Sequence, residues 1–320
     1  MLLPTLLFLV GLIVLYFGAE GLVQGASSVA LQYGIRPVVV GLTVVALGTS
    51  MPEFLVNVFA MVAGESPLAL GNIIGSNISN IALILGMSAL VLPLTVTPAI
   101  LRREYPIMFG VMVLFYVCAL DGRIGTADGI VMVLLLMGLG GFLFYETHQT
   151  STAEVIDQIE GELEDADPKM SALKKAVYLL GGMIGLALGA HLMVDSAVEI
   201  AHELEIATGI IGLTAVALGT SLPELAASMV SAAKSESDMS VGNVMGSNML
   251  NVLFVVGTIS IFQPLEVEPR SILIDFPVML GFCALLLPIV WSGYRISRVG
   301  GTVLLIGFVG YMAYLLAPYL

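Results

Sequence analysis

Two short motifs, each present twice, contain the residues of this chain that are best suited to chemistry. GTSMPEF begins at Gly48 and GTSLPEL begins at Gly219, and both lie within strongly apolar stretches. A carboxylate deep in a membrane segment is costly, so Glu53 and Glu224 are candidate functional residues. Neither motif contains Lys or Arg, and we therefore expect cations or protons to neutralise these two acids.

Each of these motifs also contains glycine and proline, which interrupt helices. Proline lacks an amide hydrogen, so a carbonyl about one turn earlier loses its helical partner. The pattern predicts that both helices break and that the carbonyls near Ala46 and Ala217 become available as ligands. Four hydroxyl groups accompany these carbonyls, from Thr49, Ser50, Thr220 and Ser221.

A second duplicated motif adds further oxygen donors. GNIIGSNISN begins at Gly71 and GNVMGSNMLN at Gly242. Their polar residues are Asn72, Ser76, Asn77, Asn80, Asn243, Ser247, Asn248 and Asn251. The three histidines, His148, His191 and His202, lie outside both motifs, so the donor set favours Na⁺ or Ca²⁺ over zinc or copper. Asn72, Asn77, Asn243 and Asn248 are equally well explained by hydrogen bonds between helices.

Charge and ligand number indicate which cations such a site could hold. Two glutamates would offset one Ca²⁺ or about two Na⁺, and about six to eight oxygens complete a calcium shell. The two ions would then compete for one site. Protons should compete as well, because two carboxylates that lie close together repel each other.

The composition indicates that these motifs lie in a membrane. The chain has 320 residues, of which 58% are hydrophobic and 11% charged, and its mean hydropathy is +1.03. The 24 acidic residues outnumber the 11 basic ones, which argues against a nucleic-acid partner. Apolar windows of about 20 residues predict ten helical spans. They begin near Leu2, Val38, Leu68, Tyr105, Asp128, Lys174, Ile210, Met239, Ile274 and Gly300.

The two halves of the chain repeat each other. A shift of 171 residues places Gly41 on Gly212 and Pro93 on Pro264 without a gap. Each unit has five spans, an odd number, so the second must enter the membrane from the opposite side. We expect an all-α integral membrane protein with ten transmembrane helices in two inverted-topology repeats. Residues 1–148 form the first repeat, 149–171 an acidic linker and 172–320 the second repeat.

The distribution of basic residues predicts the orientation. The larger group lies on one side, comprising Arg36, Arg102, Arg103, Lys169, Lys174, Lys175, Lys234, Arg295 and Arg298. Only Arg123 and Arg270 are placed opposite. This bias predicts a cytoplasmic linker, with both termini outside a plasma membrane or prokaryotic inner membrane.

With these motifs, the sequence resembles the cation/Ca²⁺ exchanger superfamily, in particular the short prokaryotic members of its Na⁺/Ca²⁺ exchanger branch. The resemblance covers both motifs twice, the ten-helix layout and the linker. It implies ten ligand residues, namely Thr49, Ser50, Glu53, Ser76, Asn80, Thr220, Ser221, Glu224, Ser247 and Asn251. It adds the carbonyls of Ala46 and Ala217. Some family members have Asp where this chain has Asn251, so one carboxylate is missing here.

We therefore interpret the chain as a secondary antiporter that exchanges Ca²⁺ for Na⁺ by alternating access, and not as an enzyme. It needs no cofactor, and its partners are membrane lipid and small cations, with no obligate protein partner evident. The nearest alternative is Ca²⁺/H⁺ antiport with the same glutamates, and a cation channel is a more distant one. An intramembrane protease needs a serine with a His or Lys base, or paired aspartates, and the motifs contain neither.

Overall fold

The computed structural model describes residues 2–149, 167, 169–204, 217–291 and 293–317. Nearly all of these residues are helical, because a segment in lipid must satisfy its backbone hydrogen bonds internally. The longer described helices are α1 Leu2–Tyr33, α2 Pro37–Val62, α3 Ser66–Val91, α4 Glu104–Ala119, α5 Thr126–Gln149, α6 Ala172–Glu203, α7 Leu222–Ala233, α8 Ser237–Phe262, α9 Ser271–Trp291 and α10 Arg298–Leu316. A short helix, Pro98–Arg102, precedes α4, and another, Ala217–Gly219, precedes α7.

Eight of these helices are long and apolar enough to cross a membrane. The other two are α4, with 16 residues, and α7, with 12 described residues. The all-helical membrane fold is confirmed, and nine of the predicted spans begin within about three residues of a helix start. The count of ten crossings stays a prediction. The predicted span near Ile210 and most of the linker 149–171 lie outside the described residues.

Four short strands show how the halves are related. The first pair joins β1, Leu94–Thr95, to β4, Arg295–Ile296, and the second joins β2, Arg123–Ile124, to β3, Leu265–Glu266. Both pairs are antiparallel. At the repeat offset of 171, β3 is the counterpart of β1, and β4 is the counterpart of β2 to within one residue. Strand β1 thus pairs with the counterpart of β2, and β2 pairs with the counterpart of β1. A two-fold axis between the repeats requires this arrangement.

This pairing also explains the inverted topology. Helix α4 separates β1 from β2, so the two strands lie at opposite ends of this helix. Because β3 pairs with β2, it lies at the other end of α4 from β1, of which it is the copy. The second repeat is therefore upside down relative to the first, as expected for two five-helix units.

Helices α1 and α6 cross each other at glycines. A Cβ on Gly18 would lie 2.6 Å from the Leu186 backbone nitrogen, and one on Gly182 would lie 2.5 Å from that of Leu22. Such small residues allow membrane helices to approach closely. Each helix has 32 residues, about 48 Å of rise, which exceeds a hydrocarbon core of about 30 Å. The two helices must therefore cross the membrane obliquely or project from it.

The buried apolar side chains form two separate clusters. One contains residues of α1 and α6 together with a few from α2, α7 and α8, including Leu22, Leu186 and Val230. The larger cluster joins α2 to α5 with α8 to α10 and includes Ile78, Phe115 and Val252. The pair α1 and α6 thus packs as a unit against a core formed by the other helices.

A charge cluster ties three helix ends together on the side of β1 and β4. It consists of Arg36, Arg103, Glu104 and Glu146. Arg36 Nη2 lies 3.0 Å from Glu104 Oε1 and 3.4 Å from Glu146 Oε1, and Arg103 pairs with both glutamates. Arg36 and Arg103, two of the basic residues that the sequence assigned to one side, therefore lie near each other. Arg123, assigned to the opposite side, is in β2.

We predict that Gly182→Ala destabilises the protein, because the added methyl group would meet the backbone of α1. Overpacking of this kind costs about 1–3 kcal/mol. Thermal unfolding in detergent measures the effect. Gly181→Ala is the matched control, since nothing lies within 4 Å of a Cβ at that position. Equal melting temperatures for the two variants would contradict the close crossing.

Candidate functional site

The first motif has different backbone conformations in the two repeats. In the second repeat, the short helix ends at Gly219 and α7 begins at Leu222, so the predicted break is confirmed there. In the first repeat, the chain stays helical through Pro52, and the predicted break is wrong. The Thr49 hydroxyl lies 3.3 Å from the Ala46 carbonyl in this turn. The carbonyl that Pro52 leaves without its helical partner is that of Gly48, and the helix continues past it.

The two motif glutamates are held by hydroxyl groups from opposite repeats. Ser50 Oγ donates to Glu224 Oε1 at 3.1 Å, and Ser221 Oγ donates to Glu53 Oε1 at 3.0 Å. Glu53 is 1% exposed and Glu224 is fully buried. The site therefore lies at the interface between the repeats, on the two-fold relation that the strands also follow.

Helices α3 and α8 complete the surroundings of the glutamates. Ser76 and Asn251 lie next to the Glu53 carboxylate, and Thr49 lies next to that of Glu224. A π-helical turn begins at Asn80 in α3 and at Asn251 in α8. Such wide turns occur often at functional sites. Their start at equivalent positions of the two repeats was not evident from the sequence.

Several buried oxygens of the predicted ligand set have no hydrogen-bond partner in the part of the chain that the structure describes. They are Glu53 Oε2, Glu224 Oε2, Ser76 Oγ, Ser247 Oγ, Asn80 Oδ1 and Asn251 Oδ1. Buried polar atoms are normally paired, because leaving one unpaired is costly. An oxygen-binding cation would supply the missing partner for each.

The charges of the site also favour a bound cation. Neither glutamate forms an ion pair with a described Lys, Arg or His, and the two carboxylates repel each other. Among the described residues, no group of three or more His, Cys, Asp or Glu could hold a metal ion. The arrangement is suited to a hard cation with mostly neutral oxygen ligands.

The remaining predicted residues lie around this centre. Thr49 Oγ1 is 3.3 Å from Asn243 Oδ1, and Thr220 Oγ1 is 3.5 Å from Asn72 Oδ1. Ala217 begins the short helix that precedes the break. The structure thus places the predicted residues in the two motif regions of both repeats, while their roles as ligands stay predictions.

Two residues at the site were missed by the sequence reasoning. Asn57 Nδ2 donates to the Glu53 carbonyl at 2.8 Å, and Ser228 Oγ accepts from Asn243 Nδ2 at 2.8 Å. Both are buried. Each lies four residues after a motif glutamate, and the offset of 171 relates them. A polar residue at the same place in both repeats was the signal that could have found them.

Two other acids in apolar spans lie elsewhere. Glu20 Oε1 is 4.0 Å from Lys234 Nζ, and Asp195 Oδ2 is 3.3 Å from His191 Nε2 on an exposed face of α6. Neither belongs to the glutamate site.

The fold and site define a membrane transporter built from inverted repeats around an oxygen-lined centre. The sequence profile described as "Sodium/calcium exchanger protein" matches residues 3–145 and 174–317. The chain therefore belongs to the sodium/calcium exchanger family and is a cation/Ca²⁺ exchanger of the short prokaryotic type. Its family contains transporters, not enzymes.

Individual relatives cover nearly the whole chain. The putative antiporter CaxA of Alkalimonas amylolytica is 37% identical over 97% of this chain and 98% of its own length. The inner membrane protein YrbG of Escherichia coli (strain K12) is 36% identical over 100% of this chain and 99% of its own. Among solved structures, the sodium-calcium exchanger NCX_Mj matches with a TM-score of 0.81 and 31% identity, covering 98% of both chains.

We predict that Glu53→Gln and Glu224→Gln each abolish stabilisation of the protein by Ca²⁺. Calcium at about 100 times its Kd stabilises a binding protein by about 2.7 kcal/mol, and removing one of two charges should eliminate this gain. Thermal unfolding with and without Ca²⁺ measures it. Glu65→Gln, at an exposed turn, is the control and should keep the full response. An unchanged calcium response in either site variant would exclude that glutamate as a ligand.

Proposed function

We propose that this exchanger is a secondary antiporter that moves Ca²⁺ against Na⁺ by alternating access at a midplane site containing Glu53 and Glu224. One observation carries the proposal: two buried carboxylates, each held by a serine of the other repeat, have no described cationic partner. The family and the match to NCX_Mj support the same cargo.

The fluxes of Ca²⁺ and Na⁺ are coupled because the two ions compete for the same two carboxylates. Two carboxylates balance one Ca²⁺ or about two Na⁺, so loading with one ion displaces the other. The proposed ligands are Glu53, Glu224, Thr49, Ser50, Thr220, Ser221, Ser76, Asn80, Ser247 and Asn251, with the Ala46 and Ala217 carbonyls. Empty glutamates should not cross to the other side, because they would carry unbalanced charge through a region of low dielectric. Exchange follows, rather than net leakage of either ion.

The packing of α1 and α6 supports alternating access. These helices provide most of one apolar cluster, to which α2, α7 and α8 add a few residues, and they approach each other through glycines. They would slide as a unit across the core that carries the site, exposing it first to one side and then to the other. The core itself would change little, since its larger apolar cluster joins both repeats.

We place the protein in a plasma membrane or prokaryotic inner membrane, with both termini outside and the linker 149–171 in the cytoplasm. The excess of basic residues on one side supports this orientation. The relative YrbG is described as an inner membrane protein. Lipid and small inorganic cations are the proposed partners, and the domain limits 1–148 and 172–320 remain part of the proposal.

We predict that an outward Na⁺ gradient drives Ca²⁺ uptake into proteoliposomes, whereas a pH gradient without Na⁺ does not. The two gradients are matched in size, and ionophores that collapse each gradient serve as controls. Uptake of radioactive calcium is measured for the wild type and for Glu53→Gln. Uptake driven only by protons would keep the site but replace the coupling ion by H⁺. Uptake in neither condition would overturn calcium exchange.

We predict that Asn251→Asp changes ion coupling more than calcium binding. Asn251 lies next to the Glu53 carboxylate, so an added acid would bring a third negative charge into the site. The expected result is a stronger pH dependence of exchange, with a half-saturating Ca²⁺ concentration within about threefold of the wild type. The ratio of Na⁺ to Ca²⁺ flux is measured across a pH series. Unchanged coupling would place Asn251 outside the site.

A further inference from the structure

Asn243 in α8 has an orientation that its neighbours fix. Its Nδ2 lies 3.3 Å from the backbone carbonyl oxygen of Glu224 and 2.8 Å from Ser228 Oγ. A carbonyl oxygen can only accept, so the amide nitrogen of Asn243 must face it. The side-chain oxygen, Oδ1, then faces Thr49 of the other repeat. Asn243 and Thr49 are both fully buried, so water does not compete for these bonds.

The first repeat contains a corresponding series of hydrogen bonds, which passes through one more asparagine side chain. Asn57 Nδ2 donates to the Glu53 carbonyl at 2.8 Å, which leaves Asn57 Oδ1 as an acceptor. Asn72 Nδ2 donates to this oxygen at 3.2 Å, so Asn72 Oδ1 faces outward, 3.5 Å from Thr220 Oγ1. Serine replaces Asn57 in the second repeat, where Asn243 reaches the glutamate carbonyl directly.

In both series of hydrogen bonds, the identity of donor and acceptor is fixed from one end. Each begins at an oxygen that can only accept, the carbonyl of a motif glutamate, and each ends at a threonine of the opposite repeat. An asparagine oxygen can only accept, so the Thr49 hydroxyl is the donor in its bond with Asn243. The lone pairs of Thr49 Oγ1 are not used in that bond.

We propose that Asn243 is a positioning residue of the cation site, which orients the Thr49 hydroxyl so that it presents lone pairs to the ion. Thr49 Oγ1 also lies 3.3 Å from the Ala46 carbonyl oxygen and next to the Glu224 carboxylate, both of which are proposed ligands. When an ion occupies these two groups, Asn243 Oδ1 is the described acceptor that remains for the Thr49 hydrogen. The asparagine therefore allows the Thr49 hydroxyl, the Ala46 carbonyl and the Glu224 carboxylate all to turn lone pairs to the ion.

This inference rests on the proposed function, because it assumes that Thr49 binds the transported ion. The test is a set of mutant cycles in which Asn243→Ala is made in the wild type, in Thr49→Ser and in Thr49→Val. The half-saturating concentrations of Ca²⁺ and of Na⁺ are obtained from ion-dependent thermal stabilisation of the purified full chain. This readout does not require turnover, so variants that no longer transport can be compared.

The expected result is a loss of ion affinity that depends on the presence of a hydroxyl group at position 49. Asn243→Ala should raise the half-saturating concentrations about tenfold in the wild type and in Thr49→Ser, which keeps a hydroxyl. In Thr49→Val, which has none, the same change should cost less than about twofold. Ser240→Ala is the matched control, since it removes a buried 2.9 Å bond from the same helix to the Ser228 carbonyl. It should lower the melting temperature but leave ion affinity unchanged.

Two outcomes overturn the inference in distinguishable ways. In the first, the wild type binds both ions, but Asn243→Ala raises the half-saturating concentrations equally in all three backgrounds. Asn243 would then be a purely structural residue. A wild type that neither ion stabilises would overturn the proposed function and this inference together. If Asn243→Ala does not fold, Asn243→Ser decides in the same three backgrounds, because it keeps a polar group at that position but is shorter than asparagine.

Discussion

The structure depends on one electrostatic constraint, which is the presence of two ionisable carboxyl groups in the apolar interior of a membrane protein. Burial of an unpaired charge costs several kcal/mol even after relaxation. Here no described basic residue balances Glu53 or Glu224. In the proposed function, the compensation is a cation that the acids bind together with a set of neutral oxygens. On that proposal, exchange transport is a direct consequence of this constraint.

The two-fold relation between the repeats allows one motif, used twice, to meet this constraint. One motif provides a glutamate and the hydroxyl that holds the opposite glutamate, as in the bonds of Ser50 and Ser221. The same exchange between repeats recurs in the two strand pairs and in the glycine contacts between α1 and α6. A site built in this way has equivalent halves, which suits the alternating access proposed for it.

The symmetry is nevertheless incomplete. The chain is helical through Pro52 but broken before Leu222, and Ser228 replaces Asn57 in the hydrogen-bond chain that reaches the glutamate carbonyl. The charge cluster of Arg36, Arg103, Glu104 and Glu146 has no charged copy at most of its equivalent positions in the sequence, which are occupied by Ala207, Ile274, Asp275 and Ala317. The two faces of the transporter are therefore held by different interactions, although the same fold is used twice.

The sequence by itself determined the membrane class, nine of the helix starts, the repeat and the position of two glutamates within apolar spans. These follow from local properties: apolar length, a fixed offset of 171 residues and the cost of an acid in an apolar span. Only the tertiary structure decided that Ser50 contacts Glu224, that Asn57 and Ser228 join the site, and that Pro52 leaves its helix intact. The side-chain contacts of Ser50, Asn57 and Ser228 with other helices join groups 15 to 174 residues apart along the chain. Spacing along the chain does not encode which side-chain atom faces which partner across an interface.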